Sequence, residues 1–381
     1  MANDKDFVVN GPVVVGKDTK VTVGSISSSA INLATGNYFD DTLAADTTYT
    51  ISNAGAVQAF QLEVTGGVTN VINLQAAENT NRSFTPNVTG GPCSWNNDGT
   101  KFYLLSFQSG PIRQYVCSTA YDISTATLDF TWTPTVYSGA AYRGMFIGKV
   151  GTRLYLLDDN SGISGFYIRE FNITGSAYDL TNASTSESNK LTKYETASPY
   201  GMTAKDDFSK IYVMGSNKRI YYYTLGANLQ VSNAQYQSAT SYSGLTAFPR
   251  ECQLNSEGTK IAVTGQSEQL DIITFTTAYD PTAGSVETFD MTSIGIPNSN
   301  YYGLAAKPDL TEVTVVANTN SNQIYTISLV TAATVTWPSS IEWAGGIAPA
   351  APANGETDVY TFTTDDTGTS YTGVKSIDNA S

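Results

Sequence analysis

Apolar and polar positions through the middle of this chain alternate in short runs, and the runs recur. Five segments overlie one another without gaps: GGPCSWNNDGTKFYLL from Gly90, YRGMFIGKVGTRLYLL from Tyr142, PYGMTAKDDFSKIYVM from Pro199, PRECQLNSEGTKIAVT from Pro249 and YYGLAAKPDLTEVTVV from Tyr301. Lys101, Arg153, Lys210, Lys260 and Glu312 fall in one column, at steps of 52, 57, 50 and 52 residues. Each copy opens with an apolar strand carrying Cys93, Met145, Met202, Cys252 or Leu304 at one shared position. A polar hairpin follows, as in Asn97-Asp98-Gly99-Thr100 and Ser256-Glu257-Gly258-Thr259, with glycine where a tight turn demands positive φ. The next strand alternates and is rich in β-branched and aromatic residues. A third strand (residues 112–115, 220–223 and 323–326), a connector (118–125, repeated at 176–181 and 277–282) and a polar outer strand complete the unit. A fixed period of this length, built from short strands, predicts the blades of a β-propeller, five in number.

The fifth copy departs from the pattern. After residue 329 it has neither the Ala-Tyr-Asp connector nor an outer strand, while a spare outer-strand-like piece, residues 79–86, precedes the first copy. Pairing the two would close the ring and remove exposed strand edges. The propeller is therefore expected over residues 73–333, with its ends together in space. Residues 31–72 and 334–381 carry further strand-like runs, and neither part alone looks able to build a core. They read as two halves of one small discontinuous β-domain, with the propeller inserted in a hairpin, as chains tolerate when the guest's ends lie close. Residues 1–30 read as an extended N-terminal arm for attachment or oligomerisation.

Composition fits an all-β protein: 24 Tyr, 32 Gly and only 14% charged residues. A net charge of −14 argues against nucleic acid, since phosphate neutralisation needs clustered Lys and Arg. No apolar run approaches the ~20 residues of a membrane span, and the first residues lack the apolar core of a signal peptide. Cys93 and Cys252 stand in the column that elsewhere holds Met or Leu, and Cys117 follows the apolar pattern of its strand. Three cysteines so placed read as small buried hydrophobes, with no disulfide framework or metal-ligand spacing.

The chain has no histidine, which removes Ser-His and Cys-His nucleophile systems and the commonest metal ligand. The surviving enzyme reading is a glycosidase, which needs two carboxyl groups roughly 5 to 9.5 Å apart. The inner-strand columns supply one acid, Glu251, so no catalytic residues, metal or cofactor are assigned. Asp158-Asp159-Asn160 reads either as a Ca²⁺ ligand set or as a solvated turn. The columns at the start of each inner strand hold Tyr142 and Arg143, Tyr200, Phe248 and Arg250, and Tyr301 and Tyr302. Repeating in register, they should encircle one mouth of the propeller channel. Two readings stand: a binding platform for sugar or protein surfaces, or tyrosines that pack over the blade junctions with wet hydroxyls.

The units SWNNDGTKFYLL and CSTAYDIST resemble propeller repeats of virion proteins of marine bacteriophages and of related bacterial proteins. KDFVVNGPVVVG is similar to the N-terminal arm of tail-fibre-like and other structural proteins of such phages. ATGNYFDDTLAADTTYTISNAG and TVTWPSSIEWAGGIAPAAPANGETDVYTFTTDD together resemble one compact β-domain of those proteins, in which the two parts run on directly. The matches cover nearly the whole chain, and the flanks are the part specific to phage. The resemblance implies a virion surface component assembled in the bacterial cytoplasm, a tail-fibre or receptor-binding appendage ahead of a capsid decoration. It also implies a homo-oligomer, trimeric first, with other virion proteins as partners; a host-surface glycan is the further partner that the channel-mouth tyrosines and arginines suggest. It brings no catalytic residues.

Overall fold

The computed structural model describes residues 22–67, 72–86, 88–106, 110–135, 141–148, 151–159, 166–193, 199–226, 230–245, 248–318, 323–330, 333–352 and 355–378. The described residues are all-β: strands and single 3₁₀ turns, with no α-helix. They divide into two compact units, Met1–Asn70 with Ala332–Ser381, and Val71–Thr331.

The described residues of the Val71–Thr331 unit form five four-stranded sheets. Four run inner to outer in chain order; the second, for example, is Tyr142–Ile147, Arg153–Asp158, Phe166–Asn172 and Asn189–Lys193. The inner strands Cys93–Trp95, Tyr142–Ile147, Pro199–Ala204, Pro249–Leu254 and Tyr301–Ala306 pack side by side in that order, and the last returns to the first. Sheets radiating from a closed cycle of inner strands are the architecture of a β-propeller. The fifth sheet takes its outer strand from the other end of the sequence. Glu78–Phe84 pairs antiparallel with Ile324–Ser328, matching Phe84 to Ile324 and Glu78 to Ser328. The Arg82 guanidinium lies 2.8 Å from the Glu312 carboxylate, and Thr80 Oγ1 donates to the Thr326 carbonyl at 2.9 Å.

The hairpins show why the repeat needs its glycines in only some copies. Gly99, Gly151 and Gly258 have φ of 72°, 66° and 69°, and Phe208 and Leu310 hold the same position at 61° each. A Cβ on any of the three glycines would lie 2.2–2.3 Å from a ring carbon of Tyr121, Tyr178 or Tyr279, the tyrosines of the Ala-Tyr-Asp connectors. The third and fifth copies have no such connector, and there Phe208 and Leu310 are themselves buried in the core. A large side chain thus packs at each of these hairpins, supplied by the turn or by the connector. The acidic hairpin residues tie the turn down: Asp98 accepts from the Thr100 N–H, Asp207 from that of Ser209 and Asp309 from that of Thr311. Cys93, Cys117 and Cys252 are free and buried among apolar residues.

The other unit joins chain from both sides of the repeats. Its five-stranded sheet has the order Ile341–Trp343, Tyr371–Ile377, Thr357–Thr364, Gln58–Thr65, Tyr38–Thr42, so central strands from the two halves are neighbours. Phe39, Phe60, Leu62, Tyr360 and Phe362 form its core, with Phe60 stacked on Phe362 at 4.8 Å between centroids. Of residues 1–30, read above as an arm, 1–21 lie outside the described residues. The remainder is not a free arm: Ile26–Ser27 and Ala30–Asn32 pair in a small sheet with Thr50–Ser52, because Ile31 is needed in the core.

Candidate functional site

Four of the five inner strands begin with a β-bulge at the same place. Tyr142 pairs with Asp158 but Gly144 with Leu157, Pro199 with Gly215 but Gly201 with Met214. Likewise Pro249 pairs with Gly265 but Glu251 with Thr264, and Tyr301 with Ala317 but Gly303 with Val316. The extra residue of each bulge is Arg143, Tyr200, Arg250 or Tyr302, and a bulge re-aims the side chain it carries. The residue ahead of it goes the other way. Tyr142 and Tyr301 are 0% exposed, and Tyr301 gives its hydroxyl proton to the Pro297 carbonyl. The candidate ring thus loses Tyr142 and Tyr301, which are core residues with no face to offer a ligand.

The four bulged residues meet. The Arg250 guanidinium lies 3.8 Å from the Tyr200 ring centroid and 5.2 Å from that of Tyr302, and Arg143 lies 5.4 Å from the Tyr200 centroid. Taken in ring order they alternate Arg143, Tyr200, Arg250, Tyr302, a ladder in which each cation rests on an aromatic neighbour. All four are half-buried. Asp159 joins them, its carboxylate 3.6 Å from Arg143 Nε. Burial raises the Asp159 carboxyl, Arg143 pulls it back down, Asp158 adds to the rise and Arg250 opposes it, with a net upward direction. Gln266 donates to the Tyr302 hydroxyl at 3.4 Å, and its own N–H donates to the Phe248 carbonyl at 3.3 Å. Phe248 is 56% exposed with φ 51°, a left-handed conformation that a bulky residue rarely adopts.

Asp159 and Gln266 were not assigned to the ring by the sequence reading. A signal for them existed: Asp159, Ser216, Gln266 and Asn318 form a polar column one residue beyond the second strand. The other reading of Asp158-Asp159-Asn160 fails. Asp158 is 0% exposed and takes two contacts of 2.7 Å from Arg169, and its other oxygen accepts the Ala141 N–H at 2.8 Å. Asp158 is therefore neither a solvated turn residue nor free to hold Ca²⁺; Asn160 lies outside the described residues. Among the described residues no group of three or more His, Cys, Asp or Glu side chains is placed to hold a metal.

Behind the ladder the inner strands close in. A Cβ on Gly201 would sit 2.8 Å from Glu251 Cα, and one on Gly303 would sit 2.2 Å from the Gly91 carbonyl oxygen. The equivalent residue of the fourth strand is Glu251, 1% exposed. Its Oε1 accepts the N–H groups of Met202 and Cys252, each at 3.1 Å. Burial drives this carboxyl well above the usual carboxylate range, and the two N–H donors only partly oppose the rise. A folded-state value raised above the unfolded one gives stability that is full below about pH 4.3 and is lost as pH climbs through the folded value. Glu251→Gln keeps an acceptor for both N–H groups and removes the charge. We expect it to match or exceed the wild-type melting temperature at pH 8 and to flatten the decline that sets in above the ordinary carboxylate range. A variant less stable at pH 8, with the wild-type decline intact, would show that Glu251 is not the titrating group.

The opposite end of the ring holds a cavity of about 40 Å³ lined by Ser94, Asn96, Phe146, Gln253, Ser256 and Pro308 among others. At ~10–15 Å³ per water that space suits a few waters, not a sugar ring.

No protein-family model matches the chain, and no curated protein matches it. Among solved structures it is similar to the β-propeller domain of Cps50 (Swd1) from Myceliophteria thermophila, at 9% identity and a TM-score of 0.37, covering 66% of this chain and 99% of that one. It is also similar to a luciferin-regenerating enzyme, at 13% identity and a TM-score of 0.44, covering 66% of this chain and 95% of that one.

Proposed function

We propose that residues 73–333 are a five-bladed propeller inserted in a discontinuous β-domain, and that the chain is a bacteriophage virion surface protein that binds rather than catalyses. In this reading the propeller meets a host-surface or protein ligand at the mouth carrying Arg143, Tyr200, Arg250 and Tyr302. The flanking β-domain attaches the chain to other virion proteins as a homotrimer. The observation behind the binding role is the ladder itself: four bulges spread over 160 residues of chain, Arg143 to Tyr302, converge on one half-exposed cation–aromatic cluster. Stacked, pre-ordered Arg and Tyr side chains lose little entropy on binding, which is why such residues dominate recognition surfaces. The virion assignment rests on the resemblance of the flanks to phage structural proteins, and a tail appendage is preferred to a capsid decoration.

The test is adsorption of the purified chain to host bacteria. Arg143→Ala, Tyr200→Ala and Tyr302→Ala combined should weaken adsorption by about tenfold or more, ~1.4 kcal/mol, with little change in melting temperature. Unchanged adsorption would remove the receptor role and favour decoration. Copy number per virion checks the location: a few copies at the tail, or copies over the whole capsid.

A further inference from the structure

We infer that the ligand of this mouth is a saccharide carrying a carboxylate, held by Arg250 with its ring against Phe248. The inference rests on the recognition reading above and names its ligand class. It starts from an asymmetry between the two arginines. Arg143 has Asp159 beside it at 3.6 Å, so its charge is partly answered inside the protein. Arg250 forms no ion pair among the described residues, and Asp159 acts on it only as a longer-range charge; its guanidinium lies 3.8 and 5.2 Å from the ring centroids of Tyr200 and Tyr302. Stacking fixes the plane of a guanidinium without using its N–H donors, and those donors match the two oxygens of a carboxylate.

A second observation points to the rest of the ligand. Tyr200 already carries two guanidinium groups, Arg250 at 3.8 Å and Arg143 at 5.4 Å from its ring centroid, so its ring is engaged within the ladder. The aromatic surface left over is Phe248, two residues before Arg250, 56% exposed and held at φ 51°. An exposed aromatic kept in a costly conformation at a cluster of this kind is the pattern of a ligand contact. Gln266 anchors both parts, through the Phe248 carbonyl and the Tyr302 hydroxyl. A phosphate alone would leave Phe248 without a role, and a neutral sugar would leave Arg250 without a carboxylate at ion-pair distance. A pyranose bearing a carboxylate uses both.

The experiment compares binding of the full chain to immobilised polygalacturonate, alginate and polysialate with binding to their carboxyl-reduced forms. At least one acidic polymer should bind and lose tenfold or more on reduction. Arg250→Gln should lose tenfold or more, Arg250→Lys should recover little of it, and Phe248→Ala should weaken binding severalfold, all with near wild-type melting temperatures. Binding to none of the acidic polymers, or binding that survives reduction or Arg250→Gln, would overturn the inference. Host-cell adsorption keeps the two readings apart. If cells are bound through the ladder but carboxyl reduction of the cell surface changes nothing, the recognition role stands and the acidic sugar falls. If neither cells nor polymers are bound, both fall.

Discussion

Deleting Glu78–Phe84 should leave the Val71–Thr331 unit aggregation-prone and lower its melting temperature by roughly 10 °C or more, which at this size corresponds to several kcal/mol. The segment supplies the whole outer strand of the fifth sheet, paired along Ile324–Ser328. With it go the Arg82–Glu312 ion pair at 2.8 Å, the Thr80 hydrogen bond to Thr326 and the edge-on contact of Phe84 with Tyr115 at 5.2 Å. Loss of the strand also bares the edge of Ile324–Ser328, whose free N–H and C=O groups invite pairing between molecules. Light scattering and thermal melts on the deletion check this. Arg82→Ala with Phe84→Ala, which keeps the backbone pairing, should cost much less and remain soluble. A deletion as stable and soluble as wild type would mean that this strand does not close the sheet.

The second large effect is expected at Arg169→Met, a loss of about 3–5 kcal/mol. Arg169 is 2% exposed and grips Asp158 through two 2.7 Å contacts and Glu187 through one of 2.6 Å, and it lies 4.8 Å from the Tyr167 ring centroid. Removing the arginine alone strands Asp158, fully enclosed, with the Ala141 N–H as its remaining donor. Replacing both, as Asp158→Leu with Arg169→Met, removes the stranded charge and should restore most of the stability, since apolar pairs of similar volume often replace buried ion pairs without loss. Chemical denaturation of both variants checks the pair. Near-equal losses in single and double variants would mean that the cost lies in packing around Arg169. Because Asp158 precedes Asp159, the single variant should also loosen Arg143 and weaken whatever the mouth binds.

Much of this architecture was legible because a sheet repeat writes its geometry into the sequence. Side chains alternate with a period of two, and the hairpin position takes glycine or a large side chain buried in the core. The column at Lys101, Arg153, Lys210, Lys260 and Glu312 therefore located all five second strands. The missing outer strand of the fifth copy and the spare piece before the first follow from the same count, and Glu78–Phe84 does pair with Ile324–Ser328. Phe208 and Leu310 show how a copy can lose its glycine and keep its turn.

What the repeat could not show was which side of each strand a given residue takes where the alternation breaks. One bulge at the start of four inner strands sends Tyr142 and Tyr301 into the core and their neighbours Arg143 and Tyr302 to the mouth. A bulge is a local shift of one residue that leaves no mark in composition, yet it reverses the facing of the side chains around it. Asp158 escaped for a related reason: its partner Arg169 lies on the next strand, and only the pairing of Leu156 with Arg169 and Asp158 with Tyr167 brings the two charges together. The sequence by itself determined the repeated strands and the segment that completes the last sheet, because those depend on periodicity. The tertiary structure decided which residues face the mouth, because that depends on register.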